Sequence, residues 1–412
     1  MDINKNYSNK IGIVIFLLSY SSLIFSFFIN EDGTGSGARG DFEVTYGFIL
    51  ALQENLLSNP LEWTLVHTPL HFVILSFVTR IIHDPYYLRL FFCLFSIVLP
   101  ILLLKIMILN NENKNNNNLI IICSCIFFLP AFRYTSIWAN DLITSLIFFL
   151  LSIVYFKKWE KNKKSNIDKN IIFQILLLAC ATYTRQYFAV FFIFFLYKYY
   201  LFLTKKSFIN LFLICVLTSI PVFLYTYMFP ELLTGQHISI KAVNYFLLGN
   251  SSIMFLYIFP IFLINIIYGK IKLSKNIIIY FLASIIFVVL LSFNFDPINW
   301  QGGGVNYMIS QKLLNNNLYF FLTSIFTFTC FIYLFFEKKE NIILILILLT
   351  MFFSFQVYQR YYEPMFFLIY FSLLQTNTIK IFLEKTFPVL IFFIYFIIYY
   401  IGAVSDIFYK LN

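Results

Sequence analysis

The chain has 412 residues, of which 60% are hydrophobic and only 12% charged, with a mean hydropathy of +0.82. Soluble domains carry about a quarter charged residues, so a soluble globular protein of this size is excluded. A β-barrel would show short alternating segments, and none are present. The net charge of +10 is divided among short loops between apolar runs, which is a topology signal and not the footprint of a nucleic-acid partner.

Apolar runs near the roughly twenty residues that a helix needs to cross a bilayer recur from end to end. The first, 11–29, follows the polar start MDINKNYSNK. It is too long for the h-region of a signal peptide and no clear small-residue cleavage site follows, so it reads as an uncleaved signal-anchor helix. Further spans are predicted near 87–109, 119–132, 138–156, 171–184, 186–203, 207–229, 251–268, 276–295, 317–336, 341–357, 361–375 and 386–403. The fold class is therefore all-α, a polytopic membrane protein with about thirteen transmembrane helices. The stretch 68–82 is ambiguous. If it spans, the basic loop KKWEKNKKSNIDK (157–169) faces outside, against the positive-inside rule. Its short length, with His71 inside and Arg80 near its end, suits an interfacial helix instead.

That choice places the N-terminus in the cytoplasm, the C-terminus outside, and most lysines inside. All six arginines (Arg39, Arg80, Arg89, Arg133, Arg185 and Arg360) then fall on the outer face. Topology signals use Lys and Arg alike, so the segregation points to a separate task for arginine. Its planar fork suits bidentate binding of phosphate. A lysine-biased vocabulary, visible in NNENKNNNN, is the competing explanation.

The largest polar stretch, 31–72, opens with Gly, Ser and Thr and continues through Arg39-Gly40-Asp41-Phe42-Glu43. An amphipathic piece follows, with Phe48, Leu52 and Leu56 at helical spacing. Asp41 and Glu43 share one side of an extended segment but not one face of a helix. Either can serve as general base toward an acceptor hydroxyl. Alternatively, Asp41 caps the following helix and Glu43 is merely solvated. The RGD triplet at 39–41 is short enough to arise by chance. The six cysteines all lie in apolar runs without a CxxC and read as small core hydrophobes.

The order and spacing of several motifs resemble a known family. His67-Thr68-Pro69-Leu70-His71-Phe72, an apolar helix, His83-Asp84-Pro85 and Leu88-Arg89-Leu90 are similar to the H-P-P-L-Y-Y…R-L block of polyprenyl-phosphate-dependent GT-C glycosyltransferases. In that family an acidic pair precedes the block by about the interval that separates Asp41 and Glu43 from His67. Leu129-Pro130-Ala131-Phe132-Arg133-Tyr134 with Asn140-Asp141-Leu142 resembles the family's second outer loop. Gln359-Arg360-Tyr361-Tyr362-Glu363-Pro364 resembles its R-Y-x-x-P, and Thr184-Arg185-Gln186 its T-R-Q. The departures are D-F-E in place of D-E, H-T-P in place of H-P-P, and His71 in place of a Tyr.

The resemblance implies a GT-C-like catalytic module over 1–205, including the outer loop 30–86 with its interfacial helices, followed by a variable transmembrane module over 206–412. It implies transfer of a sugar from a polyprenyl-phosphate donor to a glycan, lipid or protein acceptor at the outer surface of a bacterial inner membrane. Asp41 or Glu43 would be the base. Arg133, Arg185 and Arg360 would hold the lipid phosphate, Asp141 would partner an arginine or touch the sugar, and His67, Tyr361 and Arg39 would complete the site. The alternative for Asp141 is a helix N-cap, and for any one arginine a snorkel toward headgroups. No cofactor is expected. A divalent metal is not favoured, since these donors lack a pyrophosphate, although His67, His71, His83, Asp41, Glu43 and Glu62 would be its candidate ligands. The rival functions are a lipid-linked polysaccharide polymerase and a lipid or solute transporter.

Overall fold

A computed structural model of the chain describes residues 3–32, 37–63, 65, 67–110, 116–229, 243–269, 271, 275–293, 295, 304–351, 359–374 and 376–410, and among them there is no β-strand. The principal helices in chain order are α1 (Ile3–Phe28), α2 (Gly37–Glu54), α3 (Leu70–Val78), α4 (Pro85–Phe95), α5 (Val98–Asn110), α6 (Asn116–Ser124), α7 (Pro130–Ile137), α8 (Asp141–Asn162) and α9 (Lys169–Thr184). They continue as α10 (Phe191–Tyr200), α11 (Lys205–Met228), α12 (Val243–Ile267), α13 (Lys275–Ser292), α14 (Leu318–Glu337), α15 (Asn341–Thr350), α16 (Gln359–Ser372), α17 (Asn377–Glu384) and α18 (Thr386–Lys410).

Among the described residues, eight helical segments are long and apolar enough to cross a bilayer, or ten if each of two bent pairs counts as one span. The eight correspond to the predicted runs that begin near 11, 87, 138, 207, 251, 276, 317 and 386. The predicted runs 119–132 and 361–375 fall on the bent pairs, with angles of 67° and 88°. The first bend has a plain cause. Pro130 cannot donate a backbone hydrogen bond, and it pushes the preceding residue out of the α region. Leu129 accordingly sits at φ −79°, ψ 114°. Of the remaining three runs, 171–184 lies on α9 and 186–203 on the short pair Gln186–Val190 and α10, both below span length, while 341–357 begins on α15 and its residues 352–357 lie outside the described residues. In the ambiguous stretch 68–82, α3 has nine residues. At 1.5 Å per residue it reaches about 14 Å, half of a hydrocarbon core of roughly 30 Å. It cannot span.

Two compact units interlace in sequence. The first comprises Met1–Phe16, Asn113–Ala131 and His237–Asp406, and the second Leu17–Glu112, Phe132–Gln236 and Ile407–Asn412. The boundary expected at 205/206 falls inside the second.

Among the span-length helices of the second unit α8 is the most enclosed, with Leu142, Leu146, Phe149, Leu150 and Ile153 fully buried. It lies against α9 and carries an aromatic cluster in which Phe149 meets Phe188 and Phe191 at 5.0 and 4.6 Å. The connection between them is tight. Lys163 takes the left-handed conformation at the end of α8 (φ 40°), and Asp168 caps the first amides of α9. By contrast α11 is exposed along nearly all its length, with Leu211 as its one buried residue among those described. An all-round apolar helix suits lipid contact.

In the first unit α12 packs on α14 through small hydroxyl residues. Ser251 bonds to Ser324 and Ser252 to Thr323, both at 2.8 Å, the kind of close polar contact that holds helices together without a hydrophobic driving force.

Across Asp41–Glu43 the chain is helical and not extended. Asp41 and Glu43 lie inside α2, so they point to different sides of a helix, and Asp41 is not its cap. The buried face of α2 is Ala38, Phe42, Phe48, Ile49 and Leu52. The predicted stripe therefore holds as far as Leu52, while Leu56 lies beyond the helix and is exposed. Gly47 permits this packing, because a Cβ there would lie 2.2 Å from the Trp63 ring.

Candidate functional site

The second unit brings its chemistry to one end of its helices. At the close of α1, Asn30 adopts a positive φ of 51°, and Glu31 is turned into the protein with 4% of its surface exposed. Its carboxylate accepts from Arg133 Nε at 3.1 Å. The same guanidinium donates to Ser22 Oγ at 3.1 Å, to the Ser22 carbonyl at 2.9 Å and to Ser26 Oγ. Arg133 is thus fully committed to α1 and the residue after it. The Glu31 carbonyl in turn accepts the Trp138 indole N–H at 3.0 Å.

Trp138 precedes a sharp turn. Ala139 is left-handed (φ 47°), and Asn140 caps α8 by accepting from the Leu142 amide. The cap is therefore Asn140, and Asp141 is the first helical residue. Asp141 Oδ1 accepts from Arg185 Nη2 at 2.5 Å, and Arg185 also reaches Asn140 Oδ1 at 3.0 Å. Both members of this ion pair are buried. Arg185 ends α9, so the pair ties the start of α8 to the end of α9.

His71 on α3 completes the clamp. Its Nε2 meets the Ala139 carbonyl at 3.0 Å and its Nδ1 meets Thr144 Oγ1 at 2.9 Å. A carbonyl only accepts, so Nε2 carries the proton and Nδ1 accepts from the threonine. Burial pushes the His71 pKa down to about 4, keeping the ring neutral. Thr68 Oγ1 donates to the Thr182 carbonyl at 2.9 Å, and His67 is close enough to act electrostatically on Asp141. The His67–His71 block thus anchors the loop onto α8 and α9.

Beside these clamps lies an open cavity of about 710 Å³. Its walls come from the end of α1 (Asn30, Asp32), from α2 (Arg39, Phe42, Glu43, Tyr46), from the start of α4 (Pro85, Tyr86, Arg89) and from Trp138. Asp84 positions the α4 wall by capping the Tyr86 amide at 2.7 Å, with Pro85 in the first turn. On α2, Arg39 Nε pairs with Glu43 Oε1 at 3.0 Å, with both side chains more than half exposed. Asp32 Oδ2 accepts the Arg39 backbone N–H at 3.0 Å.

Arg89 is different in kind. It is buried, with 8% exposed, and lies 3.6 Å over the Trp138 ring, with Phe27 and Phe42 at 5.3 and 5.8 Å. Nε donates to the Ile137 carbonyl at 3.1 Å and Nη2 to Asn30 Oδ1 at 3.0 Å. Among the described residues no carboxylate pairs with it, and Nη1 has no hydrogen bond. Its direct partners are all neutral, and the charges of Asp32 and Arg39 act on it across the cavity.

The predicted site residues therefore part company. Glu43 and Arg39 line the cavity. Asp41 is exposed on α2 and is not among the lining residues. Arg133, Asp141 and Arg185 lie in buried ion pairs, so Asp41, Arg133 and Asp141 do not converge on the cavity. Arg360 and Tyr361 begin α16, and their side chains lie outside the described residues. Sequence reasoning missed Asp32, Tyr46 and Trp138 and left Arg89 out of the site. Arg89 lies in Leu88-Arg89-Leu90, and Glu31-Asp32 follow the first apolar run after Asn30, so two signals were at hand. Among the described residues no three His, Cys, Asp or Glu side chains are grouped to hold a metal ion.

Compared with models of known protein families, with curated proteins and with solved structures, the chain matches none.

Proposed function

We propose that this protein is a GT-C-type membrane glycosyltransferase that moves a sugar from a polyprenyl-phosphate donor to an acceptor hydroxyl. The observation that carries the reading is Arg89, a buried guanidinium without a carboxylate, on the wall of a cavity that also holds Glu43 and Asp32. A buried charge without a counter-ion is costly, and an anionic ligand relieves that cost. In the transfer, the acceptor oxygen bonds to the anomeric carbon while the bond from that carbon to the carrier phosphate oxygen breaks. The phosphate keeps the electron pair, and Arg89 stabilises its charge. Glu43, whose Oε2 has no partner among the described residues, takes the acceptor proton.

The topology supports an extracytoplasmic site. The cavity draws on the end of one apolar helix and the starts of two others, so all three ends share one side. The Asp141–Arg185 pair fixes the ends of α8 and α9 to that side. The lysine-rich connection 157–169 is at their opposite ends, and positive charge favours the cytoplasm. The N-terminus is then cytoplasmic, and a bacterial inner membrane is the setting in which such a carrier is presented.

The test is transfer from a radiolabelled polyprenyl-phosphate sugar by membranes carrying variants at equal protein level. Glu43→Gln should lose on the order of 10²-fold or more, while Asp41→Asn should keep near wild-type activity. The reverse outcome would remove the base from the cavity and sink the reading.

A further inference from the structure

The first unit holds a buried carboxylate that the transfer chemistry does not use. Glu363 is the second residue of the apolar segment Tyr362–Ser372 and is 1% exposed. Its Oε1 accepts from Tyr399 Oη at 2.6 Å, from Tyr257 Oη at 2.8 Å and from Gln359 Nε2 at 3.2 Å. Its Oε2 accepts from the Ala131 backbone N–H at 2.5 Å, just past the Pro130 bend. Tyr257 is the central residue of the apolar stretch Leu247–Ile267, so the carboxylate is held far from either end of α12.

Three features of this cluster point the same way. Among the described residues no Lys, Arg or His pairs with Glu363, and the titratable groups facing it from α12 and α18 are Tyr257, Tyr395 and Tyr399. The cluster presents N–H and O–H donors rather than lone pairs, so it is not built for a metal cation, which needs several oxygen acceptors. A carboxylate has about four lone-pair sites. Oε1 is crowded with three donors, whereas Oε2 has one and keeps a lone pair open. Ionisable groups inside membrane helices commonly mark proton or ion pathways.

We propose that Glu363 is an exchangeable proton site inside the first unit, its Oε2 taking a proton from water and returning it. Protonation at Oε2 leaves the three donors on Oε1 in place. The charge change is read by Tyr257 and Tyr399, which donate to the same carboxylate, and Tyr399 passes it on to Gln359, with which it is hydrogen-bonded. Gln359 Oε1 accepts the Val305 amide at 3.0 Å, so the polar chain extends from α18 through α16 to the short helix Gly304–Tyr307.

The experiment is infrared difference spectroscopy of the full-length protein in phosphatidylcholine vesicles, titrated over about pH 4 to 9, a range that brackets ordinary and strongly raised carboxyl values. A protonated-carboxyl C=O band should grow as pH falls and be absent in Glu363→Gln. Tyr399→Phe, which removes one donor to the anion, should move the midpoint of that band up by about one pH unit. Identical spectra for the wild type and Glu363→Gln would overturn the proposal, as would a midpoint unmoved in both Tyr399→Phe and Tyr257→Phe. The tyrosine variants keep the test alive should Glu363→Gln fail to fold.

Discussion

Arg133 and Arg89 lie in the same unit and are both buried, and they are linked through one tryptophan. Trp138 donates its indole N–H to the Glu31 carbonyl, whose own carboxylate holds Arg133, and it offers its ring face to Arg89. The difference is the carboxylate. Arg133 has one and spends its donors on α1, and Arg185 does the same with Asp141 at the start of α8. Arg89 has none among the described residues and stands on a cavity wall. Residue type and the end of the helices at which they lie are shared by all three. Whether an arginine holds the fold or faces a ligand is decided by what neutralises it.

The strongest way to break that contrast is to remove the paired cation. Arg133→Leu leaves the Glu31 carboxylate buried without its partner, which should cost about 3–5 kcal/mol of stability. The double variant Glu31→Gln with Arg133→Leu should recover much of that loss. Thermal unfolding of the detergent-solubilised protein measures both. A single variant as stable as the wild type would mean that the pair is open to solvent, and the contrast with Arg89 would vanish.

Removing the unpaired cation should do the opposite. Arg89→Gln orphans no charge, so its stability loss should stay near 1 kcal/mol, the size of a hydrogen bond or two. Under the proposed function the same change should lower transfer on the order of 10²-fold, as loss of an electrostatic donor at a reacting centre does. Arg89→Lys should rescue little, because the stacked planar fork is not reproduced by an ammonium. Full activity in Arg89→Gln would show that the cavity does not use its cation.

These distinctions explain what the sequence could and could not reveal. Apolar length and the placement of lysines are one-dimensional signals, and they identified eight helices long enough to span and the short α3. The bend at Leu129-Pro130 was legible in the proline itself, but apolar length does not register it, because a broken helix is as apolar as a straight one. The site was harder still. Arg133, Arg185 and Asp141 were picked out by residue type and position, but their partners lie far along the chain, and nothing local marks Glu31 as the counter-ion of Arg133. The Asp41 and Glu43 spacing suits an extended segment as well as a helix start, and α2 winds through both residues and separates them. A helical reading would have left Glu43 four residues after Arg39, a standard ion-pair spacing.

The smallest effect concerns the other paired cluster, where the clamp is neutral and not ionic. His71 is buried between Ala139 and Thr144, facing Asp141 and Arg185, and burial lowers its pKa from 6.5 to about 4. Above about pH 6.5 the ring is neutral in both the folded and unfolded chain and titration contributes nothing. Below that value the unfolded chain takes up a proton that the folded one refuses, so stability falls as the pH drops toward 4 and levels off beyond it. The expected loss by about pH 5 is on the order of 1–2 kcal/mol, from 1.36 kcal/mol per unit. It should be absent in His71→Gln, which cannot titrate and whose amide can still donate to the Ala139 carbonyl. Thermal unfolding of both proteins at a series of pH values isolates the term, since every other carboxylate is common to the two. If wild type and variant lose stability in parallel between about pH 6.5 and 5, His71 is not the neutral clamp of the Ala139 turn. The account of how Trp138 is held against the cavity would then have to rest on the Glu31 carbonyl alone.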